Sequence, residues 1–158
     1  MIIYCENDNE IAVPYNSLDG AILEDLDLHR AKLENMNLNS TSFFKSNLRG
    51  AFLFNSCLIK SNLSFTNLIT ADFRDTILLD ANLSESIASY CDFSNAKLQG
   101  SNLKGAKINF SNFTNANLSG ANMLCIDIEK AIFKDTVYNN ETIWPKDFDP
   151  LINGCMLL

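Results

Sequence analysis

Residues 91–120 read CDFSN AKLQG SNLKG AKINF SNFTN ANLSG, six pentads in one phase. The third residue of each pentad is large and apolar, and the first is small. We call the large position i and the small one i−2. In both directions from this stretch, position i recurs every five residues from Leu18 to Tyr138. This gives 25 positions, of which fifteen are Leu and five are Phe. A period of five residues therefore dominates the chain.

The small position is almost as regular as the large one. At i−2, 21 of the 25 residues are Ala, Ser, Thr or Cys, and the exceptions are Asn16, Leu26, Met36 and Ile126. In an α-helix a step of five would turn successive large residues about 140° apart. In a straight strand an odd step would send them to alternate faces. The pattern instead predicts a short extended piece followed by a corner in every pentad, with i−2 and i both facing inward.

Turn-forming residues mark the corner independently, at position i+2. All five glycines inside the repeats lie there, and so do several asparagines. Gly and Asn tolerate the positive φ that tight turns require. A chain that turns every five residues coils into a solenoid, and inward-facing Ser and Thr then need backbone partners.

Columns of like residues at a spacing of 20 predict four pentads in each coil. Twenty-five pentads would then make about six coils with a rise of ~4.8 Å each. The predicted core ladder consists of an aromatic column, Phe73, Phe93, Phe113 and Phe133, and a leucine column, Leu38, Leu58, Leu78, Leu98 and Leu118.

The pattern resembles the pentapeptide-repeat family, whose consensus is A(D/N)LXX. The resemblance covers residues 16–140, and it implies an all-β chain folded as a right-handed quadrilateral parallel β-helix. A solenoid needs capped ends. We expect residues 1–15 to form an N-terminal hairpin cap and residues 141–158 to form a C-terminal cap segment.

The apolar residues of the C-terminal segment have two possible uses. They can plug the last coil, or they can form a contact between two copies of the chain. The residues concerned are Trp144, Phe148, Leu151, Ile152, Met156, Leu157 and Leu158.

Composition and charge limit the possible partners. The 158 residues carry a net charge of −7, which argues against direct binding of nucleic acid. No apolar run approaches the ~20 residues of a membrane-spanning helix. The acidic start lacks the basic region of a secretory signal, and five cysteines without a CxxC motif fit reduced thiols. We therefore expect a cytoplasmic protein that does not bind membranes.

The sequence offers few candidate catalytic residues. The chain has one histidine, His29, and none of the common phosphate-binding, nucleophile or metal motifs. Cys57 and Cys125 are expected to face outward on coils other than that of His29. We predict no enzymatic activity, no cofactor and no metal site.

Charge is banded along the chain, which bears on the activity best known in the family. Some members inhibit or protect DNA gyrase by mimicking duplex DNA with an acidic rod. Residues 1–34 carry −6 here, but residues 35–71 and 93–126 each carry +3. DNA mimicry is therefore the alternative prediction. A non-enzymatic scaffold that presents rigid walls to a protein partner is the leading one.

Outward apolar residues indicate where such a partner would bind. Cys57 and Ile59 are expected to stack under Ile77 and Leu79, and we call these four residues the wall patch. Contiguous exposed apolar residues often mark interaction sites, so we predict a contact with another protein or a second copy. A secondary apolar surface is predicted from Phe44, Phe52, Phe54, Phe65, Ile69, Ile87 and Tyr90.

Overall fold

The computed structural model describes residues 1–6 and 8–158. Within these residues the regular elements are four short strands and one 3₁₀ turn. The strands are β1 (Ile2–Tyr4), β2 (Glu10–Ala12), β3 (Val137–Tyr138) and β4 (Met156–Leu157), and the 3₁₀ turn is Ile128–Lys130. The remaining pairings are single-residue bridges, all parallel except the antiparallel one between Cys5 and Ala31.

These bridges wind the chain into a right-handed β-helix with four walls. From Ile22 to Asn102 each i−1 residue pairs with the residue 20 positions later, as Cys57 does with Ile77. The Leu58 N–H donates to the Ile77 carbonyl at 2.7 Å, and the Ile77 N–H donates to the Ser56 carbonyl at 3.0 Å. Each wall is therefore a parallel ladder one pentad wide.

The corners from Gly20 to Gly120 are four-residue turns whose third residue has positive φ. At one such corner the Ser101 N–H donates to the Leu98 carbonyl at 3.1 Å, and Gly100 has φ +68°. This is the geometry of a type II turn. A Cβ on Gly100 would also clash with the carboxylate of Asp80. Gly100 takes this φ without strain, and a side chain there would require the exposed Asp80 carboxylate to move.

The inward i side chains form a continuous core. The rings of Phe73, Phe93, Phe113 and Phe133 stack in sequence, with centroids 4.8, 4.9 and 5.2 Å apart. These spacings match the distance between neighbouring strands. Each fully buried Leu or Phe contributes ~1.5–3 kcal/mol of transfer free energy. The leucine column Leu38, Leu58, Leu78, Leu98 and Leu118 is fully buried as well.

Large residues at i−2 open the corner, and a serine from the next coil bridges it. At Leu26 the backbone N–H donates to the Ser46 Oγ at 2.9 Å, and that hydroxyl donates to the Leu23 carbonyl at 2.6 Å. Ser56 does the same for the corner at Met36. Ser46 and Ser56 therefore have the backbone partners expected of inward hydroxyls, and at these two corners the hydroxyl replaces the missing hydrogen bond of the turn.

The period slips by one residue in the final third of the chain. Lys107 pairs with Ile126, only 19 positions later. The Cys125 N–H donates to the Met123 carbonyl at 2.7 Å, which makes a corner one residue shorter than the others. The 3₁₀ turn then restores the register, so that Asn112 pairs with Ile132.

The slip corrects two expectations about side-chain direction. Ile126 does not take the inward position, since it is 52% exposed. Cys125 does not face outward, since it packs against the core and its Sγ donates to the Leu103 carbonyl at 3.3 Å. A thiol fits the narrow i−2 position where a β-branched Ile would overpack it.

The two ends are built differently. At the N-terminus β1 pairs antiparallel with β2, and Ile3, 1% exposed, packs into the core. At the C-terminus the ladder continues, because Asn122 pairs with Ile143 and β3 pairs in parallel with β4. Within the residues described, β4 is the last rung.

Candidate protein-contact surfaces

The histidine and the cysteines that sequence analysis considered for catalysis lie apart in the structure. His29 lies half-buried on an outer wall. The described part of the chain holds no group of three His, Cys, Asp or Glu side chains placed to bind a metal ion. All five cysteines are free thiols, and burial raises the pKa of Cys125 to about 12.

The wall patch occupies one wall of two successive coils. Cys57 and Ile77 are bridge partners, and Ile59 and Leu79 flank the inward leucines of the same pentads. All four side chains are half-buried. The Ile59 N–H donates to the Asn39 Oδ1 at 2.8 Å, and the Lys60 N–H donates to the Leu79 carbonyl at 2.9 Å. These backbone groups are satisfied within the wall, so the patch presents mainly apolar side chains.

The preceding wall extends this apolar area around a corner. Phe52 and Phe54 are half-buried and lie in the pentad directly before the wall patch. The Arg74 guanidinium lies 5.8 Å from the ring centroid of Phe54 and forms a bidentate ion pair with Asp72. Phe52 and Phe54 are therefore continuous with the wall patch along the chain.

The other residues of the predicted secondary surface lie elsewhere on the rod. Phe44 and Phe65 form an edge-to-face pair with centroids 5.7 Å apart, and Ile69 is half-buried on the next wall. Ile87 and Tyr90 are exposed one coil further on. The seven residues thus do not form one surface.

Sequence analysis missed one member of an exposed aromatic pair. Tyr90 stacks on Phe110 with centroids 5.0 Å apart, at the corner position of successive coils. The spacing in the sequence indicates this pair, because Tyr90 and Phe110 both lie at i+2 and are 20 residues apart. Only the outward residues up to Tyr90 were considered.

The C-terminal apolar residues divide between the two predicted uses. Trp144 and Phe148 stack at 5.2 Å and meet the ring of Phe133 edge-on, so they close the core. The others remain exposed, with Ile152 at 83% and Leu158 at 71%. We call these exposed residues the C-terminal end face: Leu151, Ile152, Met156, Leu157 and Leu158.

A cavity that sequence analysis did not anticipate lies beneath the N-terminal hairpin. Its volume is about 520 Å³. Among its lining residues, Glu34 has a buried Oε2 for which the described residues offer no hydrogen-bond donor. We call it the hairpin cavity, lined by Tyr4, Cys5, Asp8, Asn9, Glu10, Lys32, Glu34 and Met36.

A column of asparagines at i−1 on another wall bonds within the structure: Asn62, Asn82, Asn102 and Asn122. The Asn102 Nδ2 donates to the Asn82 Oδ1 at 3.4 Å, and the Ser84 hydroxyl donates to the same oxygen at 2.8 Å. Because these amides bond along the wall, they stabilise it and are not free to bind a ligand.

A family model described as pentapeptide repeats matches residues 21–58, 76–109 and 96–135 of this chain, in eight copies. No curated protein sequence matches the chain. No helix in the described part of the chain is both long enough and apolar enough to cross a bilayer.

Several solved structures are similar to the chain. One is Rfr23, a pentapeptide repeat protein from the cyanobacterium Cyanothece 51142, at 25% identity over 82% of this chain and 88% of that one, with a TM-score of 0.43. Full-length QnrB1, a plasmid-mediated fluoroquinolone resistance protein, matches at 16% identity over 92% and 88%, with a TM-score of 0.46. HetL from Nostoc sp. strain PCC 7120, involved in heterocyst differentiation regulation, matches at 20% identity over 80% and 78%, with a TM-score of 0.38.

Proposed function

This chain belongs to the pentapeptide-repeat family, whose model matches more than half of its length, and from that premise we propose that it is a non-enzymatic binding protein. In this proposal the rigid β-helix presents its walls to a protein partner. The observation that carries the proposal is the apolar area formed by the wall patch together with Phe52 and Phe54.

The backbone beneath this area supports a binding role. Its N–H and C=O groups bond to neighbouring coils, as the Leu58 N–H does to Ile77 and the Lys60 N–H does to Leu79. A surface held in this way loses little conformational entropy when a partner binds. Apolar side chains with a polar surround are also the common anatomy of a protein interface.

Polar and charged groups border the apolar area. Arg74 and Asp72 lie above Phe52 and Phe54, and Lys97 and Gln99 follow Ile77 and Leu79 in the next coil. The net charge of −7 favours a protein over a nucleic acid as the partner. We therefore expect an apolar segment of another protein at this site.

The test is a double substitution in the wall patch, Ile59→Asp with Leu79→Asp. Both side chains face outward, so the fold should persist, and partner binding should weaken by at least about 30-fold, the effect of losing a hot spot. The measurement is quantitative affinity capture, with circular dichroism and thermal melting as checks on the fold.

The matched control is Asn109→Asp with Ser119→Asp, which adds the same charge at equivalent positions on other coils. Partners retained by this control and lost by the wall-patch variant would support the proposal. An identical set of retained proteins for both variants would overturn it.

The alternative function is DNA mimicry toward gyrase, which would use the acidic bands. Two bands of +3, at residues 35–71 and 93–126, interrupt the acidic residues and count against it. A gyrase supercoiling titration at low and moderate salt separates the two functions. Inhibition that weakens with salt would favour mimicry, because screened surface charge would be responsible. No inhibition at either salt would favour the scaffold.

A further inference from the structure

We infer that, in the absence of a partner, the wall patch of one chain packs on the wall patch of a second copy in an antiparallel pair. This inference rests on the proposed function, since it gives the same site a second occupant that competes with the partner. It is carried by the apolar wall patch together with two opposite charges at its edge, Lys60 and Asp80.

Lys60 and Asp80 lie at the corner that borders the wall patch, on its two successive coils. Both occupy position i+2 with a φ of 56°, and both are exposed. The ion pairs within the described part of the chain use other residues. The Asp80 carboxylate lies over Gly100, which is on the side away from Lys60. Each of the two charges is therefore available to another chain.

A two-fold axis between two facing walls brings these opposite charges together. The axis runs parallel to the strands and level with the middle of the wall patch, so it reverses the second rod and exchanges the two coils. Lys60 then faces Asp80 of the second copy, and Asp80 faces Lys60 of the second copy. One contact thus makes two ion pairs, which is the self-complementarity that an isologous two-fold interface requires.

The same axis brings the apolar side chains of the wall patch together. Ile59 of one copy meets Leu79 of the other, and Cys57 meets Ile77, because each pair occupies one column on successive coils. All four side chains are half-buried within one chain, and the contact removes part of their remaining surface from water. A parallel pair would place each coil against its own copy, and it would separate the opposite charges.

The remainder of this wall brings no like charges face to face in the antiparallel pair. Lys97, in the coil after the wall patch, faces Asn37 of the second copy, in the coil before it. The Asn37 Nδ2 donates to the Asp19 carboxylate at 3.3 Å, which places an acid near that lysine. The neighbouring residues of the corner column are uncharged: Gly20, Ser40, Gly100 and Gly120.

The contact is small, which suits a pairing that a partner can replace. About six coils at ~4.8 Å make a wall about 30 Å long, and three extended residues make it about 10 Å wide. Such a wall buries less than the ~800 Å² per chain of a stable interface, so we expect a dissociation constant on the order of 10–100 µM. Pairing of flat walls also leaves Phe52 and Phe54 uncovered around the corner. A partner that covers both walls therefore buries more apolar area and displaces the second copy.

The test reverses one charge on each of two separate chains. Lys60→Glu puts two acids opposite each other and Asp80→Lys puts two bases opposite each other, so each variant alone should dimerise about tenfold more weakly. An equimolar mixture of the two variants should pair as the unmodified protein does, because opposite charges meet again at both positions. Sedimentation velocity over a range of concentrations measures the pairing. Every chain carries Ile152→Glu and Leu158→Glu, so that the C-terminal end face does not contribute.

The fold should accept both substitutions, because Lys and Glu already occupy the same corner position at Lys45 and Glu85, each with a φ of 58°. These two residues also provide the matched control, since they carry opposite charges at the next corner, outside the contact. Lys45→Glu and Glu85→Lys should leave the dissociation constant unchanged. Equal weakening by these controls, a mixture that fails to pair, or an unmodified protein that stays monomeric would overturn the inference.

The outcome is separable from that of the proposed function, because the mixing experiment needs no partner. Suppose that the Ile59→Asp, Leu79→Asp variant loses a captured protein while the unmodified chain is monomeric at every concentration. That result would support the proposed function and overturn the antiparallel pair. Pairing restored in the mixture, with capture unchanged by the wall-patch variant, would support the pair and overturn the proposed partner site.

Discussion

The side chain at i−1 shows at the scale of one residue why Asn and Asp suit this fold. The Asn102 Oδ1 accepts the Lys104 N–H at 3.1 Å, which is the outward backbone donor of its own pentad. Its Nδ2 meanwhile donates to Asn82 in the previous coil. One amide therefore satisfies the local backbone and links two coils. Asp72 and Asp92 make the first of these bonds, to the N–H groups of Arg74 and Ser94.

Thiol chemistry is also decided residue by residue. Cys5, Cys91 and Cys155 are buried. Burial raises the pKa of Cys155 and of Cys125 to about 12 each, and it raises the pKa of Cys5 and Cys91 too. A raised pKa leaves less of the reactive thiolate at a given pH. Cys57 and Cys125 are both partly exposed, but the Cys125 Sγ donates to the Leu103 carbonyl and packs against the core, so Cys57 is the thiol we expect to react.

We predict that DTNB at pH 8 reacts with one thiol of the folded protein in a fast phase, and that this thiol is Cys57. The four other thiols should react only after unfolding in urea, when all five cysteines become accessible. The measurement is release of thionitrobenzoate. Cys57→Ser should abolish the fast phase, and a fast phase that survives this substitution would contradict the assignment.

At the scale of the element, a pentad accommodates a large i−2 residue because a serine from the neighbouring coil replaces the hydrogen bond that the turn loses. The corner at Leu26 lacks its own turn bond, and Ser46 bonds to both of its backbone groups. Ser61 lies at the same i−2 position of a closed corner, where the Ser61 N–H bonds to the Leu58 carbonyl at 3.1 Å. Within the part of the chain that the structure describes, the Ser61 hydroxyl has no hydrogen-bond partner. The two serines are equally buried but bonded differently.

This difference predicts opposite effects of the same substitution. Ser46→Ala should lower the free energy of unfolding by ~1–3 kcal/mol, since it leaves a buried N–H and a carbonyl unsatisfied. Ser61→Ala should be neutral or stabilising, because it removes an unpaired buried hydroxyl. Urea denaturation followed by circular dichroism measures both. Equal losses for the two variants would mean that the bridging bonds contribute little.

At the scale of the whole molecule, the two ends of the rod differ in their remaining exposure. The N-terminal end is covered by the hairpin and lies in the band of −6. The C-terminal end face remains apolar, and β4 has no further coil on its outer side within the described residues. An uncovered strand edge beside exposed apolar residues favours association. Charge repulsion makes the N-terminal end the less favourable place for two copies to meet.

We therefore expect two copies to pair through their C-terminal end faces as concentration rises. Ile152→Glu with Leu158→Glu should shift the dimer dissociation constant at least about tenfold, because each substitution places a charge in the contact. Light scattering after size exclusion gives the mass. Ile22→Glu, at an exposed position on the first coil, is the control. A mass of one chain at every concentration, or an equal effect of Ile22→Glu, would contradict the pairing.

The family and the β-helix could be predicted from the sequence, because the pattern of one pentad repeats along the chain and specifies the whole fold. Each pentad carries its own inward pair and corner, as in SNLKG at 101–105, and the columns at 20 residues specify how pentads stack. The stacking of Cys57 on Ile77 could be predicted for the same reason, since fixed register decides which outward residues become neighbours, whereas a role of the wall patch in binding stays a prediction.

Only the tertiary structure decided features that depend on contacts outside the repeat. Periodicity could not foresee the slip at Cys125, where the volume of the narrow inward position outweighs strict spacing. The division of the C-terminal residues into a plug and an exposed end face depends on how the last coil closes around Phe133. The hairpin cavity arises where a non-repeating segment folds over the first coil. The spacing of the repeats determines their structure, because every pentad packs in the same way. The structure of the two ends depends on tertiary contacts with the neighbouring coils, which the repeat pattern does not specify.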